Sequence, residues 1–135
     1  MKTLRLVNGR TGLEIVARCA LADNLWTRGK GLLGRAELPA DEGILLVPGA
    51  SIHMFGMKFP IDAVFLTKDD IVTDWVENLA IGKTHSAKNG AGKAHSTLEL
   101  CAGTIARVGI EIGDKIEREE VKGSGQMRRD NEPRA

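Results

Sequence analysis

The stretch of sequence that decides the fold is HMFGMKFPIDAVFL, residues 53–66. Residues 63–66 are apolar at every position, which is typical of a strand covered on both faces at the centre of a sheet. Residues 52–59, which end before Pro60, are predicted to form another strand. In an extended chain the following side chains would share one face: His53, Phe55, Met57, Phe59 and Ile61. The stretch therefore predicts a β-rich chain in which a histidine and a carboxylate, Asp62, lie inside an apolar segment.

Short apolar runs separated by turn signals extend in both directions from this stretch. Asn8-Gly9 lies between the runs 4–7 and 12–19 and is a strong hairpin signal. Further strands are predicted over residues 43–47, 71–76, 97–101 and 115–119, and a helical turn is predicted over residues 103–108. The polar residues 82–95 are predicted to form a loop, which at this length is usually functional or mobile.

One longer helix is predicted from Asp23 or Asn24, either of which can cap its first turn, to about Arg35. Its apolar side chains fall on one arc roughly 140° wide, and Arg28 and Arg35 project together from one rim of that arc. The predicted fold class is mainly β (α+β). We expect a compact barrel-like or sandwich domain of short antiparallel strands with one or two short helices.

Composition restricts the class of protein. The 135 residues fit one domain, and a hydrophobic fraction of 42% excludes a wholly disordered chain. We expect one globular domain over residues 1–122 and a disordered polar tail over residues 123–135. Because 19 Lys and Arg oppose 18 Asp and Glu, and Tyr is absent, nothing favours nucleic acid as a partner.

The sequence also bears on the compartment. The N-terminal residues contain no apolar run typical of a signal peptide, and no stretch approaches the roughly 20 apolar residues that span a bilayer. We therefore expect a cytoplasmic protein without a membrane partner. Cys19 and Cys101 lie in apolar, strand-like contexts, and a reducing cytosol favours two buried thiols over a disulfide.

Two carboxylates stand out because their surroundings are apolar. Asp62 begins the apolar run 63–66, and Glu99 lies between Leu98 and Leu100 on the opposite face of a predicted strand. An unpaired buried charge costs several kcal/mol, so each carboxylate needs a partner. Asp62 could accept hydrogen bonds from backbone amides, or both carboxylates could pair with Arg28 and Arg35.

Other chemical motifs are absent or incomplete. Gly82-Lys83-Thr84 and the residues 90–93 lack the spacing of a phosphate-binding loop. His53, His85 and His95 show no spacing typical of a metal site, and a satisfied core imidazole is the simpler interpretation of His53. We predict no metal and no cofactor.

Three blocks of the sequence resemble a known family. They are residues 28–35 (RGKGLLGR), 51–62 (SIHMFGMKFPID) and 98–103 (LELCAG), and they resemble the bacterial and archaeal domain-of-unknown-function family 192 over roughly residues 12–119. The resemblance implies a compact, mainly β barrel-like or sandwich domain. It also implies that the family's signature positions are occupied here by Arg28, Arg35, Met57, Asp62 and Glu99. Many members have Phe-Trp-Met at residues 55–57, and the family brings no settled reaction, substrate or cofactor.

Three functions remain open at this point. The leading hypothesis is a small binding module with a pocket for a polar or anionic small molecule. Its candidate ligand-binding residues are Arg28, Arg35, Met57, Asp62, Glu99, His53 and Trp75. One alternative is an acid/base enzyme, a hydrolase or isomerase, that uses Asp62 or Glu99 with His53 assisting. The other is a non-catalytic interaction protein in which the charged residues form a structural salt-bridge network and whose protein partner is unknown.

Overall fold

The computed structural model describes residues 2–24 and 32–121. Within these ranges the chain forms one short helix, α1 (Thr104–Val108), together with the strands β1 (Thr3–Asn8), β2 (Glu14–Ala22), β3 (Glu42–Leu46), β4 (Ser51–His53), β5 (Ile61–Leu66), β6 (Val72–Leu79), β7 (Thr84–Ser86), β8 (Ser96–Cys101) and β9 (Ile116–Glu120). The prediction of a mainly β, barrel-like domain with a short helix is confirmed.

Seven strands form one curled sheet in the order β6–β5–β8–β3–β2–β1–β9. Neighbours in this sheet are antiparallel except β2 and β3, which are parallel. Parallel neighbours need a long connection, and here it is provided by residues 23–41. All six residues of β5 are buried, as expected for a central strand. The strands β4 and β7 pair separately as a two-stranded ribbon.

The large sheet has two buried faces, because alternate residues of each strand point to opposite sides. On the first, the helix face, Val64, Leu98 and Leu100 pack with Ile105 of α1. On the second, the ribbon face, Ile44, Ala63 and Phe65 pack with Ile52 of the β4–β7 ribbon. The buried apolar side chains therefore form two clusters, one on each face of the sheet.

The short strands and the helical turn follow the sequence prediction closely. The segment 52–59, predicted as one strand, differs from it. Its strand ends at His53, because Gly56 has a φ of 80° and the amide of Met57 donates to the carbonyl of Met54 at 3.3 Å. Consequently Phe55 is exposed while Met57 is buried, and the predicted shared face does not exist. The predicted loop 82–95 contains the short strand β7.

Three predictions fall wholly or partly outside the described residues. The predicted helix from residue 23 or 24 to 35 includes residues 25–31, which the structure does not describe, and so does Arg28. The proposed tail, 123–135, also lies outside the described ranges. Within those ranges, no helix has the length and apolar character needed to cross a membrane.

Candidate functional site

Asp62 is completely buried on the helix face and is bonded to backbone amides. Its Oδ1 atom accepts a hydrogen bond from the amide of Asn78 at 2.8 Å. Its Oδ2 atom accepts from the amides of Gly103 at 3.1 Å and Ile105 at 2.9 Å. Gly103 is the N-cap residue of α1, so the carboxylate supplies the cap that this residue, without a side chain, cannot supply itself. Asp62 thus joins β5 to the end of β6 and to the start of α1.

Glu99 lies on the other face of the sheet. It is opposite Ile44 on β3 and opposite Ala63 on β5, so its side chain enters the apolar ribbon face. It is only 6% exposed, and no described residue donates a hydrogen bond to its carboxyl group. Burial alone raises the pKa of Glu99 to about 7. Glu99 is therefore a buried carboxyl group that exchanges its proton near neutral pH.

A cleft of about 270 Å³ opens beside this position. Its lining residues come from β1, β2, β3 and the segment after residue 31: Thr3, Arg18, Ala20, Leu32, Arg35, Glu42, Gly43 and Ile44. Glu42 lies between the two arginines, at 3.3 Å from Nη2 of Arg18 and 3.2 Å from Nη2 of Arg35. Arg18 also contacts Asp41 at 2.9 Å. The cleft therefore presents two guanidinium groups held by carboxylates.

The cleft and Glu99 belong to one row of the sheet. Thr3 pairs with Ala20, Ala20 with Ile44, and Ile44 with Glu99. The first three line the cleft, and Glu99 is the next position, one strand spacing or about 4.8 Å further. A Cβ atom on Gly43 would lie 3.0 Å from the carbonyl oxygen of Glu99, so the absence of a side chain there lets β3 and β8 approach.

Those predicted site residues that the structure describes do not assemble into one cluster. Arg35 pairs with Glu42 rather than with Asp62 or Glu99, and the two carboxylates lie on opposite faces. The pairing of both carboxylates with arginine is therefore not found among the described residues. The alternative in which Asp62 bonds to backbone amides is the one that the structure shows.

The remaining candidates are also separated. Met57 is buried on the ribbon face, whereas Trp75, opposite Val64, packs on the helix face. His53 is exposed and stacks on Phe55, with ring centroids 5.4 Å apart. The expectation that His53 is a satisfied core imidazole is therefore wrong, because its strand ends before the face is buried.

Sequence reasoning missed a histidine–aspartate pair on the ribbon face. Nε2 of His85 lies 2.9 Å from Oδ2 of Asp74, and the imidazole stacks on Phe65 at 5.3 Å. Asp74 also accepts the amide of Lys88 at 2.9 Å. Although burial opposes it, these hydrogen bonds together lower the pKa of Asp74. The alternation in β6 was the available signal, since it places Asp74 on a face otherwise occupied by Val76.

Neither cysteine takes part in these clusters. Both are free, with Cys19 on the helix face and Cys101 on the ribbon face, so they cannot approach each other. Burial raises the pKa of the Cys19 thiol to about 12. Within residues 2–24 and 32–121, no group of three or more His, Cys, Asp or Glu side chains is arranged to hold a metal ion.

The fold and the ribbon face define a small, mainly β domain with a buried acid beside a cleft that contains two arginines. The sequence model of domain-of-unknown-function family 192 (DUF192, "Uncharacterized ACR") matches residues 7–118, and the chain belongs to this family. No curated protein matches the chain.

Two solved structures are similar to it. One, from Sinorhizobium meliloti 1021, is described as a "putative transcription regulator". It is 25% identical, with a TM-score of 0.71, covering 87% of this chain and 92% of that one. The other is a protein of unknown function from Novosphingobium aromaticivorans DSM 12444. It is 27% identical, with a TM-score of 0.66, covering 85% of this chain and 83% of that one.

Proposed function

We propose that the protein is a binding module for a small molecule that carries an anionic group. The observation that carries the proposal is Glu99, a buried carboxyl group without a donor among the described residues, one strand from a cleft that contains Arg18 and Arg35. At 6% exposure this carboxyl group keeps little contact with water. A ligand that extends from the cleft to Glu99 would supply the hydrogen-bond donor that water otherwise provides.

The arginines keep donors available for such a ligand. The ion pairs of Arg18 and Arg35 with Asp41 and Glu42 use only the Nη2 atom of each guanidinium. The Nε and Nη1 atoms of both side chains have no described partner and can bind a carboxylate or phosphate through forked hydrogen bonds. Because Glu42 contacts both guanidinium groups, it also restricts their positions before a ligand binds.

Asp62 does not belong to this proposed site. Its two oxygen atoms already accept three backbone hydrogen bonds, and it lies on the helix face. The proposed site consists of Arg18, Arg35, Glu42 and Glu99.

A second candidate function, an acid/base enzyme, is favoured by the burial of Glu99. A general acid or base works best when its pKa lies near the working pH, and burial raises the pKa of Glu99 to about 7. In this version Glu99 transfers a proton to or from a substrate bound at Arg18 and Arg35. Asp62, held by backbone amides, takes no part.

The binding proposal is tested by thermal unfolding with inorganic phosphate, acetate, succinate and glycine at millimolar concentrations. We expect at least one probe to raise the Tm of the wild type, since a ligand at 100 times its Kd contributes about 2.7 kcal/mol. Arg35→Ala should remove this stabilisation while leaving the protein folded, because an exposed ion pair contributes only about 0–1 kcal/mol.

Arg5→Ala is the matched control for this experiment. Arg5 is 42% exposed and pairs with Glu14 at 2.6 Å, whereas Arg35 is 45% exposed and pairs with Glu42. Arg5 does not line the cleft. If no probe stabilises the wild type, or if both variants respond to the probes as the wild type does, the cleft is not the binding site.

A further inference from the structure

No cation of the described residues forms an ion pair with Glu99. Its neighbours across the sheet, Ile44 and Ala63, are apolar. The polar groups two residues away on β8 are directed to backbone carbonyls instead. The hydroxyl of Thr97 donates to the carbonyl of Gly49 at 2.8 Å, and the thiol of Cys101 contacts the carbonyl of Ala102 at 3.6 Å.

Among the described residues, the cations nearest to Glu99 already have partners of opposite sign. The two arginines of the cleft are matched by Glu42 and by Asp41 beside it. On the ribbon, His85 pairs with Asp74. When Glu99 loses its proton, the described chain therefore offers no additional positive charge to stabilise the carboxylate, and a buried carboxylate without one is unfavourable.

The two ends of the proposed site thus require groups of opposite charge. We infer that the ligand is a zwitterion of the amino-acid class, whose carboxylate binds Arg18 and Arg35 and whose ammonium group pairs with ionised Glu99. This inference rests on the proposed function, because it adds the chemistry of the second group to the same site. An ammonium group suits this position, since it supplies three donors to a carboxylate that has none among residues 2–24 and 32–121.

The dimensions of the sheet favour a small ligand. Glu42, which holds the arginines, lies two residues along β3 from Ile44, the neighbour of Glu99. Two residues of strand and one strand spacing separate the backbones of Glu42 and Glu99 by about 8 Å. This span leaves room for a small ligand, such as an α-amino acid, between the two ends.

The inference predicts that binding releases a proton. Because burial raises the pKa of Glu99 to about 7, binding of an ammonium group should release protons, and it should release more of them per site at pH 6 than at pH 8. Affinity should rise over the same interval, since the ionised fraction of Glu99 rises. A ligand that binds only through its anionic group should release none.

The experiment is isothermal titration calorimetry of the wild-type chain with each of the twenty standard amino acids. Every titration is run in two buffers of different ionisation enthalpy, so that the number of released protons is measured. Acetate and methylamine are the matched probes, because each retains one charged group of glycine and lacks the other. Glu99→Gln, which keeps the size of the side chain and cannot ionise, should abolish the proton release and the pH dependence.

The outcomes separate this inference from the proposed function. Proton release with an amino acid, reduced by Arg35→Ala and absent for acetate, supports both. If acetate, succinate or phosphate binds in a manner that depends on Arg35, and no amino acid binds with proton release, the proposed function stands and the zwitterion is wrong. If nothing binds, both are wrong. The wild-type proton count decides the inference even where Glu99→Gln fails to fold.

Discussion

Replacing Asp62 with alanine tests whether this buried carboxylate joins β5, β6 and α1 as described above. The substitution removes the acceptor of three backbone amides, those of Asn78, Gly103 and Ile105, in a fully buried position. The bond from Ile105 is buried and the other two are partly buried, and each buried donor left without a partner costs about 1–3 kcal/mol. The cost of burying the carboxylate disappears at the same time, so we expect a net loss of about 2–4 kcal/mol.

The measurement is the free energy of unfolding at pH 7, obtained from guanidinium titrations followed by tryptophan fluorescence. The slope with denaturant is compared between proteins to confirm that the native state remains compact. A loss of this size is a large part of the roughly 5–15 kcal/mol that stabilises a typical domain. The stability of Asp62→Asn should lie between those of the wild type and Asp62→Ala, at a loss of about 1–3 kcal/mol. The single amide oxygen of asparagine can accept either from Asn78 or from Gly103 and Ile105, but not from both sides.

Asp41→Ala is the control for charge and side-chain size. Asp41 is 51% exposed and pairs with Arg18 at the surface, so its removal should change stability by less than about 1 kcal/mol. If Asp62→Ala unfolds within about 1 kcal/mol of the wild type, the three hydrogen bonds do not hold these elements together, and the structural role assigned to Asp62 is refuted.

Two further predictions concern the ribbon face and the thiols. Because burial raises the pKa of Glu99 from 4.5 to about 7, the folded state binds this proton more tightly than the unfolded state. Stability should therefore fall by on the order of 3 kcal/mol as pH rises from 4.5 to above 7. In Glu99→Gln this decline should be absent, and parallel pH profiles of unfolding for the two proteins would contradict the burial of Glu99. For the thiols, a disulfide reagent at pH 8 should modify half-buried Cys101 in the native protein and reach Cys19 only after unfolding. Native labelling that persists in Cys101→Ser would show that Cys19 is accessible.

The arrangement of the candidate site depends on which face each charged residue occupies. Asp62 and Glu99 are similar in sequence, since each is a carboxylate within an apolar strand. The register of β5 and β8 places Asp62 opposite Leu100 and Ala63 opposite Glu99. A shift of one residue in that register would bring the two carboxylates to the same face. The register of β5 against β8 thus decides whether Asp62 and Glu99 could contact the same ligand.

Local sequence was sufficient for most of the strands. The apolar run of β5, the Asn8-Gly9 turn and the alternation of β8 depend on neighbours within a few residues, and such patterns can be read directly. The same holds for the conclusion that Asp62 and Glu99 are buried and need partners. The segment 52–59 was the exception, because the turn at Gly56 ends the strand inside an apolar run.

By itself, then, the sequence determined the mainly β fold, the family and the two carboxylates whose burial is costly. Only the tertiary structure decided what those carboxylates contact. The amide of Ile105 that bonds to Asp62 lies 43 residues away along the chain, and Arg18 and Glu42 meet Arg35 across a parallel strand pair. Such contacts depend on register and on long-range strand pairing, for which short-range hydrophobic periodicity carries no information.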